Sequence, residues 1–142
     1  MMKLSEETLT EKQMDEEALR EKMLINGPEN LFGIYQLKDV KALRDYRFEP
    51  LNCLISRGLK VERRNYTLVY TGPLSIRDRL INLNKIFQTF NRNPPADFKG
   101  HSPSVSDVIV LQWRGKFLSA HYIDDLSFKE LPDFWGNEVL KG

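Results

Sequence analysis

Pro94-Pro95 divides the chain into two parts that cannot share an element. Proline lacks an amide hydrogen and its ring clashes with the preceding turn, so a helix must stop before it. Just upstream, Ile76, Leu80, Leu83, Phe87 and Phe90 follow i, i+4, i+7, i+11 and i+14, one face of a 3.6-residue period. Ser75 with Asp78 three residues later makes an S-x-x-D capping box, which predicts a helix over 76–91. Downstream, a dense polar stretch to Asp107 enters Val108-Ile109-Val110-Leu111-Gln112-Trp113, the most β-branched run in the chain and a strand by composition. Arg114-Gly115-Lys116 turns it back into 117–123, with Gly115 free to take positive φ. Helix, polar loop and hairpin in succession predict an α+β fold.

The preceding chain supplies two more strands and three helical segments. Phe32-Gly33-Ile34-Tyr35-Gln36-Leu37-Lys38 reads as a strand, and Asp39 as the cap of a short helix through Tyr46. Pro50 suits the first turn of a helix over 49–57 that Gly58 ends. The stretch 60–71 reads as a strand, clearest where Tyr66, Leu68 and Tyr70 alternate with Thr67 and Val69; Gly72-Pro73 ends it. Leu126, Phe128, Leu131, Phe134 and Trp135 predict a tail packed back on the core. The expected architecture is an antiparallel sheet of about four strands with helices packed on one face, the 76–91 stripe among them.

Residues 3–25 are rich in helix formers and free of Gly and Pro. Their apolar positions, Leu4, Leu9, Met14, Leu19 and Met23, are spaced by about five, which gives a weak core-facing side. They hold seven acids and four bases, so they carry −3 and the rest of the chain +4 of a net +1. Two readings follow: a solvated helix loosely packed on the domain, or a docking arm for a partner. The expected division is a charged N-terminal helical arm and linker, 1–28, and an α+β domain, 29–142. In 142 residues, 41% hydrophobic and 29% charged, the composition is that of an ordinary globular protein. Cys53 stands alone, so no intramolecular disulfide forms. The charged start has no signal-peptide core and no apolar run approaches a membrane span, so the expected setting is cytoplasmic with no membrane partner.

Chemistry-bearing residues concentrate in the loop. Ser102, Ser104, Ser106 and Asp107 suit a turn that bonds its own backbone, Gly100 permits unusual dihedrals, and Ser102-Pro103 suits the start of one helical turn. The functional alternative makes His101, with Asp97 or Asp107, an acid–base centre. No G-x-S-x-G elbow accompanies it, so no catalytic residue is assigned and His101 is the candidate if the chain is an enzyme. Metal-ligand types (His101, His121, Asp97, Asp107, Asp124, Asp125) lack zinc spacing, and phosphate-loop and dinucleotide fingerprints are absent; no metal and no cofactor is expected. Basic residues interleave with aromatics at Arg57, Lys60, Arg63, Arg64 and Tyr66, and again at Arg77, Arg79, Lys85 and Arg92. They form a solvated face or a nucleic-acid contact. Trp113 beside its turn is a hot-spot candidate.

The segments Phe32–Lys38, Tyr46-Arg47-Phe48-Glu49, Asn65–Tyr70 and above all Phe90-Asn91, Pro95 and Asp97-Phe98-Lys99-Gly100-His101-Ser102-Pro103-Ser104-Val105-Ser106-Asp107-Val108-Ile109-Val110-Leu111 resemble a YodL-like domain. Gly115, Tyr122-Ile123-Asp124 and the Phe128–Phe134 tail continue the likeness, which covers roughly 32–134. The resemblance implies an accessory protein of plasmids and conjugative elements of Gram-positive bacteria, with no catalytic residues to carry over. It implies, through that setting, an anti-CRISPR or antirestriction inhibitor whose partner is a bacterial defence effector, a protein or nucleoprotein complex. The expected contact residues are Asp97, Lys99, His101, Ser102, Ser104, Asp107, Trp113, Arg114 and Lys116, together with the N-terminal arm.

Overall fold

The computed structural model describes residues 11–125 and 127–136. The expected helix start at residue 3, with Leu4 and Leu9, and Leu126 of the tail lie outside them. The elements are α1 (Glu11–Asn26), β1 (Leu31–Leu37), α2 (Leu51–Ser56), β2 (Tyr66–Pro73), α3 (Arg79–Arg92), β3 (Val108–Trp113), β4 (Phe117–Ile123) and β5 (Phe128–Glu130), with 3₁₀ turns at Lys41–Tyr46 and Arg63–Asn65. The α+β class holds. One antiparallel sheet runs in the order β2-β1-β3-β4-β5, one strand more than expected, because part of the tail pairs with β4 through Tyr122↔Lys129.

Alternation along the central strands sends side chains to two cores. Phe32, Ile34, Ile109, Leu111 and Ile123 meet Leu83, Ile86 and Phe90 of α3. Tyr35, Leu37, Val108, Val110 and Tyr122 meet Leu24 and Ile25 of α1, Leu54 of α2, Phe134 and Trp135. The sheet is therefore covered on both faces: α3 takes one, as its stripe predicts, while α1 and α2 take the other. With both faces buried, β3 reads as a continuous apolar run rather than an alternating one.

Several local expectations change, among them the strand over 60–71, which begins only at Tyr66 after the 3₁₀ turn and runs on through Gly72-Pro73. Asp78 is itself the N-cap of α3, accepting from the Ile81 amide at 2.9 Å, so the helix starts at Arg79. Ile76 then precedes the helix and Leu80 is 60% exposed, which narrows the buried stripe to Leu83, Ile86 and Phe90. Val40, not Asp39, precedes the first 3₁₀ turn. The N-terminus of α2 is capped from a distance: Asp124 accepts from the Leu51 amide at 3.1 Å.

Met14, Leu19 and Met23 of α1 are exposed, as their spacing predicts. The helix is held instead by its last turn and by charge. Leu24 is fully buried, a side-chain burial that contributes about 2 kcal/mol. Arg63 lies over the Tyr35 ring at 4.8 Å and pairs with Glu17 at 2.9 Å and with Glu21. Glu17 also accepts from the Leu68 amide, and Arg20 donates to the Leu68 carbonyl, each at 2.9 Å. Both backbone groups of Leu68 therefore point away from β1 and are closed by α1. They sit beside a bulge at Val69, where the register skips from Ile34↔Tyr70 to Tyr35↔Leu68. Free sheet edges invite pairing with other chains; charged side chains occupy this one.

Candidate functional site

The polar loop leaves α3 as a pinned structure. Asn93 ends the helix and Pro94-Pro95 follow. Phe98 then stacks edge-on against Phe90 and Tyr70, with centroids at 4.9 and 5.9 Å. Asn91 donates to the Pro103 carbonyl at 3.2 Å, and the Tyr70 hydroxyl to Asp97 at 3.2 Å.

The centre of the loop closes around Gln36, a buried amide in an otherwise apolar β1. Its Nε2 donates to the His101 carbonyl at 2.8 Å and to Asp107 Oδ2 at 3.1 Å, and its Oε1 accepts from the His101 amide at 3.2 Å. Gly100 is required by this clamp. A Cβ there would collide with Gln36 Oε1 and crowd Phe98, so its role is space rather than unusual dihedrals. No helical turn follows Ser102. Asp107 closes the loop end instead, accepting from the Ser104 amide at 3.0 Å while its own amide donates to the Ser104 carbonyl at 3.0 Å.

Among the described residues, two that are not glycine have left-handed backbones, Phe48 (φ 59°) and Ser106 (φ 90°). They face each other: the Phe48 amide donates to Ser106 Oγ at 3.2 Å, and the Tyr66 hydroxyl fixes the Ser106 carbonyl at 2.7 Å. Such backbones cost on the order of 1–3 kcal/mol and persist where surroundings over-determine them, often at functional sites. Here they hold the Phe48 ring 61% exposed.

The loop stands between two concavities. Asp97, Lys99 and Gly100 border an open cleft of about 550 Å³ whose other walls are α1 (Gln13, Glu16, Arg20) and the β2 edge. His101, Ser102, Ser104 and Asp107 line a second pocket of about 350 Å³ with Leu37, Arg47, Phe48 and Ser106. In that pocket Asp107 is 1% exposed. Burial pushes its carboxyl up to about 6, against the pull of His101, the Ser104 amide, Gln36 and Arg47. The His101 ring lies 3.9 Å from Asp107 Oδ2, and its Nδ1 is 3.0 Å from the Ser102 carbonyl. The Ser102 carbonyl and the Asp107 carboxylate suit a proton on Nδ1, while the donor Nε2 of Gln36 also lies 3.3 Å from that nitrogen. Arg47 pairs with exposed Asp39 at 3.6 Å.

Trp113, Arg114 and Lys116 sit elsewhere. They form the turn at the far end of β3, about 20 Å from Asp107 at strand rise. There Arg114 donates from its amide to Asn30 Oδ1 at 2.7 Å and from its guanidinium to the Gly27 carbonyl at 3.2 Å. The nine expected contact residues thus divide into two patches, six in the loop and three in the turn, separated by the length of β3. His121 is buried on β4 beside Ser119 Oγ at 2.8 Å, and burial lowers it to about 4. Among the described residues no three His, Cys, Asp or Glu side chains gather as a metal site, and no helix is long and apolar enough to cross a membrane. Gln36, Arg47 and Phe48 escape the sequence reading as site residues, and Ser106 enters it only as a turn former. A lone amide within Phe32–Leu37 is the one visible signal.

A single antiparallel sheet covered on both faces, carrying a clamped polar loop between two concavities, defines the class as an α+β domain with a preorganised surface. The family model of the YodL-like domain matches residues 31–134, and the chain belongs to that family. No curated protein and no solved structure matches it.

Proposed function

We propose that this chain is a non-enzymatic binding protein of a mobile element that inhibits a bacterial nuclease-based defence complex. It does so by protein contact, covering a DNA- or guide-binding surface. The observation that carries the reading is the Gln36 clamp. It fixes the loop as a rigid surface and leaves Lys99, His101 and Ser102 exposed. Preorganisation of this kind lowers the ordering cost of association. Arg57, Arg63, Arg64 and Arg79 each pair with a carboxylate, which favours protein contact over phosphate binding. The test is co-purification from a host carrying such a defence system, followed by cleavage assays with the captured nuclease. Inhibition that is lost on reversing Lys99→Glu supports the proposal; cleavage unaffected by excess protein sinks it.

The His101–Asp107 arrangement favours one rival, acid–base cleavage or modification of nucleic acid. His101→Ala separates them: abolished activity with unchanged melting temperature and partner affinity selects the enzyme. A nucleic-acid-binding module instead predicts direct DNA or RNA affinity that falls steeply with salt.

A further inference from the structure

The pocket beneath His101 contains an incompletely partnered anion. Asp107 Oδ2 takes the Gln36 and Ser104 donors, whereas among the described residues Oδ1 accepts no hydrogen bond. The carboxylate is nevertheless almost wholly buried and lines the pocket. The cationic groups facing it are the His101 ring at 3.9 Å and Arg47, whose guanidinium pairs outward with Asp39. Buried carboxylates are ordinarily paired or fully hydrogen-bonded. At the mouth, Phe48 is displayed on a left-handed backbone, with its ring exposed.

We propose that this pocket receives an arginine side chain of the partner protein, its guanidinium bonded to Asp107 Oδ1 and stacked on Phe48. This rests on the proposed protein-binding function and names the chemistry by which it works. Charge complementarity selects a cation, since a neutral base edge could donate to Oδ1 but would leave the buried charge in place. Between cations, guanidinium is planar, weakly hydrated and stacks on aromatic faces, whereas ammonium is compact and strongly hydrated. The raised carboxyl of Asp107 accords with a group awaiting such a partner. Nucleic-acid-binding surfaces carry the arginines that engage phosphates; a pocket that captures one of them competes directly with the nucleic acid.

The test uses the ¹⁵N-labelled full chain titrated at about pH 7.5, where most carboxylates are ionised. The probes are N-acetyl-arginine methylamide and its lysine and citrulline counterparts. The expected result is saturable shifts of the Ser104, Ser106 and Asp107 amides with a dissociation constant of about 1–10 mM. The lysine and citrulline probes bind about tenfold more weakly. Asp107→Asn abolishes the response, and Phe48→Gly, which alters an exposed ring, weakens it about fivefold in a folded protein. Absence of saturable shifts, equal binding of citrulline, or tighter binding of guanosine monophosphate at the same amides overturns the proposal. Arginine binding without any nuclease partner leaves the pocket standing and removes the proposed function. Unchanged partner affinity of a folded Asp107→Asn protein does the reverse.

Discussion

Asp107 and His121 predict opposing pH dependences that mask one another. Burial raises the Asp107 carboxyl from 3.8 to about 6, so the folded state holds a proton that the unfolded chain has released. Stability from this group is greatest at low pH and is lost as pH rises toward 6. Burial lowers His121 from 6.5 to about 4, with Glu130 opposing and Arg79 assisting. Its unfolded ring gains a proton that the folded ring refuses, so stability is lost as pH falls from 6.5 to 4. Each difference approaches one proton, a slope of about 1.4 kcal/mol per pH unit, and amounts to about 3 kcal/mol across its window. The two slopes nearly cancel between pH 4 and 6. Asp107→Asn removes one of them. An asparagine Oδ1 can keep the Ser104 and Gln36 donors, so the variant is expected to match or exceed the parent at neutral pH, by up to about 3 kcal/mol. It then loses stability relative to the parent on acidification. His121→Gln gives the mirror image, a relative gain on acidification. Urea unfolding at successive pH values gives the difference curve between each variant and the parent, which cancels the other carboxylates. Parallel curves for parent and Asp107→Asn across this window would refute the reasoning.

The remaining predictions concern the clamp and the helix. Gly100→Ala drives a methyl into Gln36 Oε1 and is expected to cost about 1–3 kcal/mol, with amide exchange in 97–107 accelerating more than in β3; unchanged exchange counts against the clamp. Phe48→Gly relieves a left-handed phenylalanine and is expected to raise stability by about 1 kcal/mol, read as a higher urea midpoint. Leu24→Ala, at a fully buried site, is expected to cost about 2–5 kcal/mol, measurable by the same unfolding assay. Arg63→Ala leaves Glu17 and Glu21 without their guanidinium and is expected to cost about 3 kcal/mol, with the loss confined to folding if α1 serves the fold alone.

The sequence makes the central sheet legible because β1, β3 and β4 carry their own composition. It reveals α3 because its stripe is local, although two rival caps, Ser75 and Asp78, blur its start. β5 has only three residues, too few for a period. The attachment of α1 is hidden for a different reason. Glu17 and Arg20 act on the backbone of Leu68 some fifty residues away, and no spacing within the helix encodes that partner. The site divides in the same manner. His101 and Asp107 are visible by type within one loop. Gln36, which joins them, lies 65 residues from His101, and the left-handed backbone of Ser106 leaves no mark on a residue that is usually right-handed or extended.

The closure of Leu68 by α1 also separates ancestry from autonomy. The family likeness begins at residue 31, yet the side chains that stopper the sheet and one of its fully buried leucines come from residues 17–24. A fragment cut at the inherited boundary would bare an amide and a carbonyl together with an apolar dent, and such a surface templates strand-to-strand polymerisation. In this chain the lid for that edge is supplied by the segment that precedes the family match.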